Sequence, residues 1–503
     1  MPSIRRRLAL TSEVKAGLVT AAATLAVGLV TLNRALVGVF YDDGMYAGLA
    51  WALASGHGYV HPNLPGMPGA VHYPPLYPVV LAPLFGLLSV SSAAIAAKIL
   101  NALLAATSVG LIVWHALRRA LLGPGMPRWL VPVIAAAAAL AIPQLAMQSV
   151  LFAEPLFGVL LAVSIILIDR ADSPWIAGAV AALAFLTRSI GVAIVAGALC
   201  LLLARGAPFR VWRALLLPPL VAALGWGIWV ATHATGIDPA LQLVYGTYAA
   251  PLTQSGLSAL PGNIRDLPRP LEALAFGWVP LRWLYVMLGT ASLGVGLYGL
   301  AILSRRSAVG LSMIFYVLIL AVWPYPPDRF LWVLLPWLAL TWAIGGIELW
   351  RRWPRLRVPI AMLAALMSAG YLHYEFQGFR KRWWDVQARA ISDNFTELLP
   401  VTQNLPDSAV VATDNEGLVW LYTRRRSVPL YLERYRGREL IRPTSAEYRA
   451  YLERMGVTHV LLASATSPTA IELRGLLHDD PSWLTAVYRW SHGRWLFAVN
   501  RGQ

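Results

Sequence analysis

The sequence predicts a polytopic α-helical membrane protein with about 11 transmembrane helices and a small C-terminal extracytoplasmic α/β domain. Three observations predict it. Of 503 residues, 58% are hydrophobic and only 13% charged, where soluble chains carry about 25% charged residues. Apolar runs of about 20 residues, long enough to cross a bilayer as helix, recur through the first three quarters. From about residue 375 onward the charge rises and the apolar runs shorten. The net charge of +16 does not point to nucleic acid, because the arginines cluster between apolar runs, as they do in cytoplasmic loops. Cys200 is the only cysteine, so no intramolecular disulfide can form and compartment is not legible from it.

Basic residues orient the chain. Arg5, Arg6, Arg7 and Lys15 precede span 1 (about 17–39), which reads as an uncleaved anchor with its N-terminus in the cytoplasm. Asp42 and Asp43 then lie outside. Span 2 (about 93–117) returns to Arg118, Arg119 and Arg128; spans 3 (about 129–145) and 4 (about 153–168) lead out and back to Arg170. Spans 5 and 6 (about 174–187 and 190–204) end at Arg205, Arg210 and Arg213. Span 7 (about 214–234) opens the long outer loop 235–280. Spans 8 (about 282–303), 9 (about 307–324), 10 (about 330–349) and 11 (about 356–374) follow, with basic clusters at Arg305-Arg306 and at Arg351, Arg352, Arg355 and Arg357. The division is therefore 1–374 in the membrane and 375–503 outside it.

The first outer loop, 41–92, carries two helices. One runs over 43–55, with Asp42 as its cap, Met45, Leu49 and Ala52 or Leu53 on one face, and Gly56 ending it. After a loop rich in Pro, Gly and His, Tyr73-Pro74-Pro75-Leu76-Tyr77-Pro78 opens an interfacial helix at about 76–88. In the outer C-terminal part, strands are expected at 408–413, 458–463, 484–490 and 494–500. Helices are expected at 416–422, 446–455 and 469–478. About 125 residues suffice for a core of its own.

Candidate chemistry begins with Tyr41-Asp42-Asp43-Gly44-Met45-Tyr46. A carboxylate pair at the exit of a span must sit in water, pair with a cation, or do chemistry. Adjacent helix positions face different ways, so one carboxylate faces a cavity and the other caps or orients. A carboxylate beside a reacting hydroxyl serves as general base, and Asp42 and Asp43 are the catalytic candidates. The pair is also a candidate for a divalent cation, although two ligands alone make a weak site. Arg329, in Pro327-Asp328-Arg329-Phe330, and Arg188, in Leu186-Thr187-Arg188-Ser189, stand at outer span ends. Such guanidinium groups either snorkel to headgroups or hold a phosphate through paired hydrogen bonds. Asp328 orients Arg329 or is a solvated neighbour. Glu154 opens span 4, where the helix dipole favours a carboxylate. Lys98, near the outer end of span 2, can meet a lipid phosphate.

His57, His61 and His72 share a loop, but their irregular spacing argues against zinc; His72 is placed with acceptor contacts instead. Tyr73 and Tyr77 read as interface anchors or substrate contacts. Thr413-Asp414-Asn415-Glu416-Gly417 closes a strand and caps a helix, and Trp383-Trp384 beside Arg380, Lys381 and Arg382 reads as a membrane-surface belt.

The order and spacing of Asp42-Asp43, the helix ending Ala54-Ser55-Gly56-His57-Gly58-Tyr59, Tyr73-Pro74-Pro75-Leu76-Tyr77, Leu186-Thr187-Arg188 and Asp328-Arg329-Phe330 resemble the GT-C superfamily of membrane glycosyltransferases. The similarity covers about 1–350 and is nearest to aminoarabinose transferases, protein O-mannosyltransferases and bacterial lipopolysaccharide sugar transferases. The resemblance implies an inverting transfer of a hexose or pentose from a polyprenyl-phosphate donor to a lipid, glycan or protein acceptor. It places Asp42 as base or acceptor-orienting group and Arg188 and Arg329 on the lipid phosphate, to which the separate reading of Lys98 adds a third cation. The family pair is often Asp-Glu and here is Asp-Asp, which leaves the role of Asp43 and of any metal open. Resemblance and topology together imply the inner membrane of a bacterium, with the C-terminal domain in the periplasm or outside. The rival classes are a transporter or flippase of lipid-linked sugars, which wants charges near the midplane, and a polymerase of lipid-linked glycans.

Overall fold

The computed structural model describes residues 11–500 apart from 326, 433–434 and 437–438. Arg5, Arg6, Arg7 and Pro326 therefore lie outside the described residues. Helix α1 (Ser12–Val30) leads through a non-helical segment to α2 (Tyr41–Ala54), α3 (Leu76–Leu87) and the long α4 (Val90–Arg118). A bent pair follows, α5 (Leu130–Ala139) and α6 (Ile142–Ser149), with 55° between its halves. Then come α7 (Glu154–Arg170), α8 (Pro174–Thr187), α9 (Val192–Ala204) and α10 (Phe209–His233). Three short helices follow: α11 (Ala249–Ser255), α12 (Leu260–Asp266) and α13 (Arg269–Phe276). The helical part ends with α14 (Arg282–Arg306), α15 (Ala308–Ala321), α16 (Asp328–Trp332), α17 (Leu335–Arg352), α18 (Arg357–Lys381) and α19 (Val386–Gln403).

Helices stand at each of the eleven expected places. Among the described residues, however, length and hydropathy qualify five stretches as spans: Ser12–Val30, Val90–Arg118, Phe209–His233, Arg282–Arg306 and the stretch Pro354–Gln403. The bent pair makes six, and Leu76–Leu87, Pro174–Thr187, Ser189–Ala204 and Ala308–Ala321 are shorter apolar helices. The protein is thus multi-pass and helical.

The first span ends at Val30, well short of the expected 39. Asn33 explains the difference. It is buried, its amide donates to Ser149 O (3.1 Å), and its Oδ1 accepts from Ala35 N (3.1 Å) and Lys98 Nζ (2.8 Å). An apolar composition alone reads as span; one asparagine bound to three partners makes it a buried loop.

In the C-terminal part, β1 (Val410–Thr413), β2 (Arg426–Pro429), β5 (His459–Leu462), β6 (Leu484–Trp490) and β7 (Arg494–Val499) form a sheet of order β2-β1-β5-β7-β6. β1 runs parallel to β2 and β5, while β7 is antiparallel to β5 and β6. β3 (Tyr435–Arg436) and β4 (Glu439–Leu440) make a separate antiparallel pair. Helices α20 (Glu416–Thr423), α21 (Ser445–Arg454) and α22 (Pro468–Asp479) stand near the expected positions, whereas β2 and α19 were not anticipated. Trp384 is buried and donates to Thr31 O (3.0 Å), so it is not part of a surface belt with Trp383. The apolar core beneath α2 and α3 is continuous with the core beneath the sheet: Tyr46, Tyr77, Trp420, Tyr448 and Val460 belong to one cluster.

On the opposite side, a buried carboxylate ties three helices. Asp169, at the end of α7, accepts from Ser307 Oγ (2.5 Å) and Ala308 N (2.8 Å) and lies 3.0 Å from His115 Nε2. Removing one member of a buried charged network leaves its partners unpaired in a low-dielectric interior, at about 3–5 kcal/mol. Asp169→Ala is expected to lower the unfolding temperature in detergent clearly; an unchanged temperature would contradict this tie.

Candidate active site

α2 separates its two carboxylates as adjacent helix positions require. Asp43 turns back toward the chain that precedes it and is 1% exposed. Its oxygens accept the backbone N–H groups of Gly38 (2.9 Å), Phe40 (2.9 Å) and Gly44 (3.0 Å). The capping role expected of Asp42 therefore belongs to Asp43. Burial pushes the Asp43 carboxyl up to about 7, against the pull of those N–H groups and of the Lys98 charge.

Asp42 faces the other way, into a cluster assembled from four distant parts of the chain. Tyr73 donates to Asp42 Oδ1 (2.5 Å), and Arg329 pairs with Asp42 Oδ2. Arg329 Nε also lies 3.2 Å from Glu154 Oε1, and Arg188 Nη1 lies 2.5 Å from the same oxygen. Two guanidinium groups and two carboxylates thus alternate, and their formal charges cancel. Aromatic rings support the cations: Arg188 lies over Phe330 (4.7 Å) and Arg329 over Phe152 (4.6 Å). Burial raises the Asp42 carboxyl, but the charges of Arg329 and Arg188 and the Tyr73 hydroxyl outweigh it and hold it below the usual aspartate range.

Each group is placed by a helix end. Glu154 sits in the first turn of α7, where free N–H groups favour a carboxylate. Arg188 is the residue at which α8 stops, in an extended conformation before Ser189. Arg329 belongs to the five-residue α16, which ends before Pro336 restarts the helix as α17. Helix breaks of this kind leave such groups directed into a cavity. The adjacent cleft is lined by Tyr46, Tyr73, Arg188, Tyr248, Trp323 and Phe330. Arg329 keeps 34% of its side chain exposed and Glu154 only 2%.

The remaining candidates lie elsewhere. Lys98 is buried, and its ammonium holds Asn33 Oδ1 and Ala35 O (2.7 Å), so it braces the segment after α1 rather than meeting a phosphate. Tyr77 is buried and donates to Asn101 (2.9 Å). His72 Nδ1 is 2.8 Å from Gly246 O, and its ring packs on Tyr248 at 4.2 Å, so it shapes the cleft wall. Asp328 precedes Arg329 in the first turn of α16. His57 stacks on Trp51, and His61 meets Tyr245 edge to face, apart from His72. No group of three metal-binding side chains gathers among the described residues. The oxygens of Asp42 and Asp43 serve different partners, so this pair does not fit a shared cation. Tyr248, in the loop before α11, and Trp323, just after α15, were not anticipated; an isolated aromatic in a loop or at a helix end carries no signal of its own.

The structure makes Asp43 a fold residue. Asp43→Ala orphans the N–H groups of Gly38 and Phe40 and leaves that of Gly44 only its 3.5 Å bond to Phe40 O, which should cost about 3 kcal/mol, read as a lowered unfolding temperature. Full stability with lost activity would instead place Asp43 in the chemistry.

No protein-family model matches the chain, and no curated protein matches it. Solved structures do match. The Archaeoglobus fulgidus oligosaccharyltransferase, in complex with Zn and sulfate, is similar over 96% of this chain and 73% of its own, with a TM-score of 0.51 and 15% identity. ArnT from Cupriavidus metallidurans bound to undecaprenyl phosphate is similar over 95% and 97%, with a TM-score of 0.47 and 16% identity. AglB from Archaeoglobus fulgidus, in complex with an inhibitory peptide and a dolichol-phosphate, covers 96% and 74%, with a TM-score of 0.48 and 12% identity. At 15% identity the likeness to the oligosaccharyltransferase is one of fold alone.

Proposed function

We propose that the protein is an inverting glycosyltransferase of the inner membrane. In this reading it moves a sugar from a polyprenyl-phosphate donor to a lipid, glycan or protein acceptor at the outer face. Residues 1–374 form the catalytic membrane part and 375–503 the extracytoplasmic part. The observation that carries the reading is the meeting of one carboxylate and two guanidinium groups, from chain positions 42, 188 and 329, beside an aromatic cleft at the helix ends.

The chemistry follows from the charges. Asp42, held ionised, takes the proton of the acceptor hydroxyl as its oxygen attacks the anomeric carbon. The bond from that carbon to the phosphate oxygen breaks with inversion, and its electrons leave on the polyprenyl phosphate. Arg329 and Arg188 stabilise this added negative charge, as paired donors suit a phosphate. Tyr73 fixes the Asp42 carboxylate by its short hydrogen bond. Glu154 holds both guanidinium groups in place before substrate arrives. An incoming phosphate competes with Asp42 for Arg329, the more exposed cation, so donor binding also releases the base.

Incubation with a panel of labelled polyprenyl-phosphate sugars and cell-envelope acceptors tests this. The wild type should consume one donor; Asp42→Asn should lower kcat by about 10²–10⁴, and Arg329→Ala by about 10²–10³. Turnover that survives Asp42→Asn would remove Asp42 as base, and no turnover of any donor would favour transport or polymerisation. Because the Asp42 pKa is lowered, the active ionised form persists on acidification. kcat/KM should fall only below about pH 4, the ordinary aspartate value; an acid limb near pH 6 would contradict the assignment.

A further inference from the structure

The chain between α1 and α2 leads directly to Asp42, and its backbone is held by residues more than 350 positions later. Leu36 N donates to Ser392 Oγ (3.0 Å) and Val37 N to the Tyr422 hydroxyl (3.1 Å). The Asn415 amide donates to Gly38 O (3.0 Å) and Val39 O (3.3 Å). With the two N–H groups held by Asp43, successive backbone groups from 36 to 40 are bound on both sides.

Helix α20 closes on the same place. Gly38 has φ +96°, and a Cβ there would stand 2.6 Å from the backbone of Leu418. Gly417 meets Gly44 of α2 so closely that a Cβ on it would lie 3.1 Å from Gly44 Cα. Gly38 requires glycine, and a side chain at 417 would push the two helices apart by a few tenths of an ångström.

Glu416 lies between these contacts and is 1% exposed. Its Oε1 accepts from the hydroxyls of Tyr245 (2.9 Å) and Tyr431 (3.4 Å), and its buried Oε2 has no hydrogen-bond partner among the described residues. The Tyr41 ring meets both tyrosines edge to face, at 5.9 and 6.3 Å between centroids. Tyr245 is further fixed by the Asn63 amide (2.9 Å). Tyr41 is the residue immediately before Asp42. Burial pushes the Glu416 carboxyl up to about 8 in spite of its backbone and tyrosine hydrogen bonds, so at neutral pH no uncompensated charge is buried there.

We propose that Asn415 and Glu416 are positioning residues for Asp42, acting at the head of α20 to clamp segment 36–40 and the Tyr41 ring and so fix the direction of the catalytic carboxylate. The C-terminal part is then a working part of the active site rather than a cover or an acceptor adaptor. The assignment rests on the function proposed above for Asp42. It uses the hydrogen bonds that Asn415 makes to the backbone and Glu416 to two tyrosine hydroxyls, together with packing, and no substrate contact.

The test uses the full-length protein in lipid nanodiscs, as wild type, Asn415→Ala, Glu416→Ala and Glu416→Gln. A base turned out of line should lower kcat by roughly 10- to 100-fold, while donor KM changes little because Arg188 and Arg329 are untouched. Glu416→Gln, which keeps an acceptor for Tyr245, should recover most of the rate. Amide exchange over 36–46 should quicken in the two alanine variants, with exchange in α4 unchanged. If an alanine variant does not fold, Asn415→Asp, which loses both donated bonds at nearly constant volume, carries the same expectations. Unchanged kcat in the folded alanine variants, or in Asn415→Asp where it replaces one, overturns the proposal, as does a raised KM at constant kcat, which would assign a substrate contact instead. If the wild type transfers no sugar from any donor, the enzymatic reading fails separately. Exchange over 36–46 then decides the clamp, which quickened exchange supports and unchanged exchange overturns.

Discussion

Two arginines and two glutamate or aspartate side chains share one nearly dry space at the edge of the helical bundle, and the cost of taking them out of water governs what surrounds them. A buried ion stripped of its partner is worth several kcal/mol of instability, so none of the four can be isolated. Glu154 answers this by serving Arg188 and Arg329 at once, and Arg329 by serving Glu154 and Asp42. Phe152 and Phe330 supply ring faces where a third charge is absent. Each side chain arrives from a helix end, because only there can a charged group enter such a space without its own helix lying across it.

The second demand is made by the backbone. Segment 31–40 is apolar enough to continue the first span, yet it leaves the helix inside the protein. Its N–H and C=O groups must then find partners without water. Lys98, Asn33 and Asp43 supply some, and Ser392, Asn415 and Tyr422 supply others. Polar residues that look like site candidates in the sequence are therefore spent on the path of the chain toward the site. The same demand joins the C-terminal sheet to the first outer loop in one apolar core.

Much of this was legible in the sequence, for physical reasons. The eleven helical places followed from apolar length and from where arginines gather. The sheet's β1, β5, β6 and β7 followed from short alternating runs, and the helix opened by Leu76 from its proline-rich start. Asp42, Arg188, Arg329 and Glu154 were identifiable as charges at span ends, although nothing in their spacing showed that they meet. Four things were hidden. Which of Asp42 and Asp43 faces inward depends on how the preceding loop turns. Lys98 looked like a phosphate ligand because its partners are carbonyl oxygens, which composition does not reveal. Glu416 looked like an ordinary helix cap because Tyr245 and Tyr431 approach it only in the folded chain. Strand β2, beginning at Arg426 after two further arginines, carries too much charge to read as strand.

The account turns on the two guanidinium groups acting together on one phosphate. The most direct measurement is the binding of a short-chain polyprenyl phosphate to the wild type, Arg188→Ala, Arg329→Ala and the double variant. Each single change is expected to weaken binding by about 1.5–3 kcal/mol, the usual strength of a hydrogen bond to a charged group. The double variant should lose less than the sum, because both groups serve the same ligand. Wild-type affinity in all three variants would contradict the account.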